Sequence, residues 1–185
     1  MNWNAHHSRT EVLRAVISEA DTRRDGILPM DTPGVAEIFG DELSLVAALQ
    51  LRWYTRLAGT IERELMDQPM DLESAVLTAW RRTATELPGI HAILDTYSEA
   101  PTSEAMDRAL AKAHRTEWTL LAVMAGRASV ADRHAPAVGR ALEQRARAAY
   151  RPTRAPQSAA AESHPSLLGP LLGPLLGRVK AHLAA

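Results

Sequence analysis

Three pairs of side chains in this sequence stand one helical turn apart: His7 with Glu11, His91 with Asp95, and His114 with Glu117. At that spacing an imidazole and a carboxylate share one helix face, where they can exchange a proton or hold one metal ion. Recognised metal patterns ask for more. A ferritin-type di-iron centre needs Glu-x-x-His pairs and a hemerythrin-like bundle wants His-x-x-x-His, and the chain has neither. With seven histidines among many carboxylates, pairs at helical spacing arise by chance as solvated or capping side chains. The chain also lacks a Gly-x-Ser-x-Gly elbow, a phosphate-binding Gly-Lys-Ser/Thr loop and a His-Glu-x-x-His zinc motif. The expectation is therefore a binding protein with no cofactor and no metal.

Glu117 is the exception among the carboxylates. At about 100° per residue it falls near the centre of the apolar stripe of Met106, Leu110, Ala113, Leu120 and Met124, while Glu104, Arg108, Lys112 and Arg115 fall outside it. An unpaired carboxylate buried there would cost several kcal/mol, so it must meet a cation or donor, take up a proton, or line a wet cavity. His91, Arg52 and His114 are the candidate partners. Trp53, Trp80, Tyr97 and Trp118 could wall a pocket around it, which makes Glu117, Trp53, Trp80, His91, Tyr97 and Trp118 a candidate site for a small apolar ligand. The alternative is a packing edge where Glu117 reaches solvent and the aromatics are ordinary core.

The elements that must position these groups are helical, because no segment alternates as a strand does. Leu13, Val16, Ile17 and Ala20 begin an apolar face that Asp25-Gly26 stops. Two prolines and two glycines then allow only a short helix near Val35 to Phe39. A long helix follows, striped by Val46, Leu49, Trp53, Leu57 and Ile61 and ended by Pro69. Asp71 caps the next, with Leu72, Val76, Trp80, Thr83 and Leu87 inside. Pro88-Gly89 interrupts, and Ile90, Ile93, Leu94 and Tyr97 form one further face. Thr102 or Ser103 caps the helix that carries Glu117, and Gly126 ends it. The last helix, from roughly Arg133 to Tyr150, offers Val138, Ala141, Leu142 and Ala149. The fold is thus predicted to be all-α, a bundle of about five to seven helices.

Composition limits the partners. Lys and Arg number 21 against 22 Asp and Glu, a formal net charge of −1, so there is no general attraction to nucleic acid or an anionic membrane. Cysteine is absent, as suits a reducing cytoplasm, where the protein is expected. No apolar run reaches the roughly 18 residues of a membrane span.

Three stretches, "VLRAVISEA", "FGDELSLVAALQLRWYTRLAGTIERELM" and "DLESAVLTAWRRTATELPGIHAILDTYSEAP", resemble the first helix, the fourth helix and the start of the ligand-binding domain of TetR-type transcriptional repressors. The run Phe39-Gly40-Asp41-Glu42-Leu43 is similar to the Phe-x-x-Lys-Glu-x-Leu that opens the long linking helix there, and Glu86-Leu87-Pro88-Gly89 to a kink of the effector domain. The resemblance implies a homodimeric, ligand-sensing regulatory scaffold. It departs from the family where DNA would be read. Residues 26–40 leave room for one short helix, carry Pro29 and Pro33, and include no Lys or Arg. A helix-turn-helix needs two helices and phosphate contacts, so no sequence-specific DNA binding through that motif is expected.

Organisation then reads as a bundle over 1–150, a Pro/Ala/Ser-rich linker over 151–165, and a tail over 166–185 that writes Leu-Leu-Gly-Pro twice and starts it again. Gly and Pro in each period forbid a continuous helix. Leu167, Leu168, Leu171, Leu172, Leu175 and Leu176 would bury on the order of 10 kcal/mol of apolar surface if covered, which marks them as candidate docking residues for a protein partner or for the bundle itself. Leu171-Leu172-Gly173 through Arg178-Val179-Lys180 is similar to the peptides that load helical cargo into encapsulin shells. Three functions follow: a non-catalytic binding or regulatory bundle, a metal-binding or enzymatic bundle using Glu117 with His, and a cargo docked through its tail. Truncation after Pro165 should leave helicity and melting temperature nearly unchanged by circular dichroism. A large fall in melting temperature would make the tail part of the core.

Overall fold

The apolar spacings and caps of the sequence resolve into seven α-helices in a computed structural model, which describes residues 3–67 and 70–151, with side chains from residue 9 onward. The helices are α1 (Trp3–Arg23), α2 (Val35–Ile38), α3 (Glu42–Met66), α4 (Leu72–Glu86), α5 (Pro88–Glu99), α6 (Glu104–Met124) and α7 (Ala135–Ala149). There is no strand among the described residues. The chain divides into two units, Met1–Ala155 and Pro156–Ala185, and all described residues belong to the first. His7 and the six docking leucines Leu167 to Leu176 therefore lie outside the described side chains.

Short polar side chains set the helix starts. Asp41 accepts from Ser44 N at 2.7 Å, Asp71 from Ser74 N at 3.1 Å, and Ser103 from Met106 N at 3.1 Å, each satisfying an amide that the first turn leaves free. Pro88 opens α5 in its first turn, where a missing N–H costs nothing. Between α1 and α3 the interval 26–40 holds one helix of four residues, α2, and no second helix. Leu28, Val35 and Phe39 from that interval are buried in the core.

Leu45, Val46, Leu49, Trp53, Leu57 and Ile61 of α3 are all buried, against Val76, Ala79, Trp80 and Ala84 of α4. Glycine sets two of the closest helix approaches. At Gly89, a methyl group would lie 2.2 Å from the backbone carbonyl carbon of Ala20, so α5 crosses α1 almost backbone to backbone. At Gly139, it would lie 1.7 Å from the carbonyl oxygen of Trp118, so α7 runs equally close to α6.

Those approaches correct the predicted faces. Leu142 is buried as predicted and Val138 is half-buried, but Ala141 and Ala149 are exposed, and α7 buries Ala135, Gly139, Glu143 and Ala146 instead. The seam follows the smallest residues, which let the backbones meet, rather than the most apolar ones. Leu72, predicted to face inward, is 42% exposed.

α3 and α6 run parallel, fastened at two levels. Thr102 Oγ1 donates to Glu42 Oε2 at 3.1 Å where both helices begin, and Trp53 Nε1 donates to Glu117 Oε2 at 3.0 Å farther along. No helix of the described residues is long and apolar enough to cross a membrane.

Gly139→Ala should lower stability by about 3 kcal/mol or more, since either α7 or the Trp118 backbone must move. Gly59→Ala, with open space around the added methyl, should gain up to about 1 kcal/mol from helix propensity. Urea unfolding of both variants checks the pair, and an unperturbed Gly139→Ala would refute the close α6–α7 approach.

Candidate functional site

Glu117 sits on α6 with Ala113, Leu120 and Leu121 one turn away on its own side of the helix, so its side chain is carried inward to 3% exposure. Its partner is none of the three basic residues the sequence suggests. Arg52 is on the exposed side of α3. His91 and His114 border the same small cavity, but the hydrogen bond to the carboxyl comes from the Trp53 indole. Tertiary placement on α3, one turn before Leu57 and one after Leu49, aims that indole across the bundle.

A second buried carboxylate stands behind the first. Glu143 of α7 is 6% exposed; its Oε2 accepts from Trp118 Nε1, and its Oε1 accepts from Arg147 Nε at 2.7 Å. Arg147 reaches further to Asp95 of α5, with contacts of 2.9 and 3.0 Å, and its guanidinium lies 5.1 Å from the centre of the Trp80 ring. Together Glu143, Arg147 and Asp95 clamp α7 to α5. The Glu143–Arg147 pair could have been noticed from its i,i+4 spacing, but nothing local distinguishes it from a solvated pair.

Around these groups the aromatics pack edge to face. Trp80 meets Trp53, His91 and Tyr150 at ring-centre distances of 5.9, 5.4 and 6.1 Å. His114 stacks on Trp118 at 5.5 Å, and its Nε2 is 2.9 Å from Ser98 Oγ. Of the six predicted ligand residues, Glu117, Trp53, Trp80 and His91 gather here. Trp118 turns to Glu143 instead, and Tyr97 is buried facing Glu42 near the start of α3. The cavity among Gln50, Trp53, His91, His114, Glu117 and Arg147 has about 10 Å³ free, room for about one water. Gln50 Oε1, His114 Nδ1 and Trp80 Nε1 are buried there or nearby without a hydrogen-bond partner.

Burial dominates the electrostatics. It pushes the Glu117 carboxyl up to about 7, helped by the negative charge of Glu143; the Trp53 hydrogen bond and the Arg147 charge pull less strongly the other way. Burial lowers both His91 and His114, so both favour the neutral imidazole. It also disfavours the Arg147 cation, but the hydrogen bonds and charges of Asp95 and Glu143 more than offset that. Among the described residues no group of three or more His, Asp or Glu side chains converges to hold a metal ion. The Arg147 guanidinium occupies the space between Glu143 and Asp95.

A roomier volume lies elsewhere, along the α3–α6 pair. A half-open groove of about 480 Å³ lies between Leu43, Val46, Ala47, Gln50, Leu51 and Tyr54 of α3 and Met106, Ala109, Leu110, Lys112, Ala113 and Thr116 of α6. The small Ala47, Ala109 and Ala113 hold it open between the two fastenings. Gln50 belongs to both the groove and the inner cavity. The sequence reading missed this groove, since Ala and Leu on neighbouring helix turns look like packed core until the helices are seen to part. One signal was present: Leu51 stands off the buried stripe, and it is 66% exposed.

Compared with protein-family models, curated proteins and solved structures, the chain matches none.

The Glu117 carboxyl carries a pH prediction. Burial raises it in the folded state from the ordinary 4.5 to about 7, so the folded state binds the extra proton. Its contribution to stability is therefore greatest at acid pH, declines as pH rises through that window, and is fully lost above it. Glu117→Gln should abolish this decline and stabilise the protein on the order of 3 kcal/mol at alkaline pH, with little change at acid pH. Urea titrations across the window read both, and an unchanged pH profile in Glu117→Gln would refute the buried acid.

Proposed function

We propose that this protein is a non-catalytic ligand-binding bundle that takes a small, largely apolar molecule in the α3–α6 groove. The observation that carries the reading is the groove itself. Its volume of about 480 Å³ lies within the ordinary range for small-molecule sites, and apolar walls with a few polar groups are the usual composition of such sites. Eight of its twelve lining residues are Leu, Val, Ala or Met.

The interior behind the groove suits a rigid wall better than a reaction chamber. Its carboxylates are occupied by two indoles and an arginine, and it has space for about one water. A substrate cannot enter beside Glu117 without displacing Trp53 or Arg147. A regulatory role on a TetR-like effector scaffold accords with the long α3 and with the α4–α5 bend at Leu87-Pro88. The single four-residue helix within 26–40 accords with a regulator that does not read DNA through a helix-turn-helix.

Binding can be followed with N-phenyl-1-naphthylamine, a neutral apolar dye that brightens on leaving water. The protein should bind it saturably, at one site per chain. Ala113→Phe, which adds a ring to the open groove, should weaken binding by about tenfold or more, a loss of about 1.4 kcal/mol, while leaving the melting temperature within a few degrees. Equal binding by the variant would place the dye elsewhere and overturn the proposal.

A further inference from the structure

The groove has two unlike ends. Because α3 and α6 run parallel, residues at matching depth on the two helices face each other. Toward the Thr102–Glu42 fastening the walls are Leu43, Val46, Met106 and Leu110, with alanines between. Toward the Trp53–Glu117 fastening they include Gln50, Tyr54, Lys112 and Thr116. The four polar lining residues thus fall in one half, with Leu51 the large apolar residue among them, while the other half is lined by Leu43 over the buried Val46, Met106 and Leu110. From Leu43 to Tyr54 the α3 wall rises about 16 Å, so the groove is a trough rather than a bowl.

Charge is just as one-sided. Lys112 is the one charged residue among the twelve that line the trough, and no carboxylate lines it. Its flexible stem can lie along the apolar wall while the ammonium stays at the polar end. Glu117, five residues along α6, points to a different side of the helix, where it is buried and held by Trp53, so it does not neutralise Lys112.

From this gradient we infer that the groove binds a single-chain anionic amphiphile of the alkyl carboxylate class, with its chain along Leu43–Met106 and its head at Lys112. A neutral head could hydrogen-bond at the polar end but would leave the charge of Lys112 unmatched. A cationic head would meet Lys112, and a compact aromatic would leave half the trough unfilled. The inference rests on the groove being a ligand site, and it adds the polarity and direction of the ligand.

The test uses the full chain and displacement of N-phenyl-1-naphthylamine, with dodecanoate and dodecanol kept below their association limits. Lys112→Met should weaken dodecanoate about threefold to fivefold, the scale of one partly exposed ion pair. Lys112→Glu should weaken it further, and dodecanol affinity should change in neither variant. High salt should reduce the dodecanoate preference of the parent and leave dodecanol unchanged. If dodecanoate binds but ignores Lys112 and salt, the head-group assignment is wrong although the groove remains a ligand site. If both molecules weaken equally in the Lys112 variants, that residue acts through packing and the assignment is again wrong. If neither molecule displaces the dye in the parent while Ala113→Phe still weakens the dye, the groove binds but not this class. If Ala113→Phe has no effect either, the groove reading itself fails.

Discussion

The hydrogen bond from the Trp53 indole to the Glu117 carboxyl is the constraint on which the middle of this bundle depends. A carboxyl taken from water must find donors or keep its proton, and here it does both. Trp53 supplies the donor, and burial raises the carboxyl toward neutrality. The bond spans 64 residues, so neither helix can slide or turn along the other without stranding one polar atom. Apolar packing alone tolerates small shifts. A single buried polar pair does not, and it fixes the register of α6 against α3.

What lies on each side of that bond differs in kind. Behind it, the buried Glu143 and the half-buried Arg147 and Asp95 link α7 to α5 through ion pairs. In front, the two parallel helices are fastened at two levels and separated between them by alanines, so a trough opens. A polar interior that holds the framework still and an apolar exterior that remains uncovered are complementary features. The first makes the second a preformed site rather than a gap that collapses.

The α6–α7 seam follows a different rule. Gly139 lets the two backbones meet, and the nearness of α7 brings Glu143 under the Trp118 indole. Close approach and buried charge are thus linked, since a bulkier residue at 139 would lift Glu143 away from its donor. Glu73 gives a surface counterpart: it accepts from Arg127 and Arg145, tying the start of α4 to α7 and the loop before it.

By itself the sequence determined the helices, the cap at Asp71 and one at Thr102 or Ser103, the room for a single short helix between 26 and 40, and the place of Glu117 on an apolar stripe. Each of these depends on residues within one or two turns, where period and capping chemistry act directly. Only the tertiary structure decided that Trp53 is the partner of Glu117, that Glu143 is buried, that Ala141 and Ala149 are not, and that α3 and α6 part to leave a groove. Periodicity says which side of a helix faces inward but not what waits there. Partner choice depends on rotation, depth and separation between helices distant in the chain, and those are set by the global compromise between packing small residues closely and giving every buried polar group a partner.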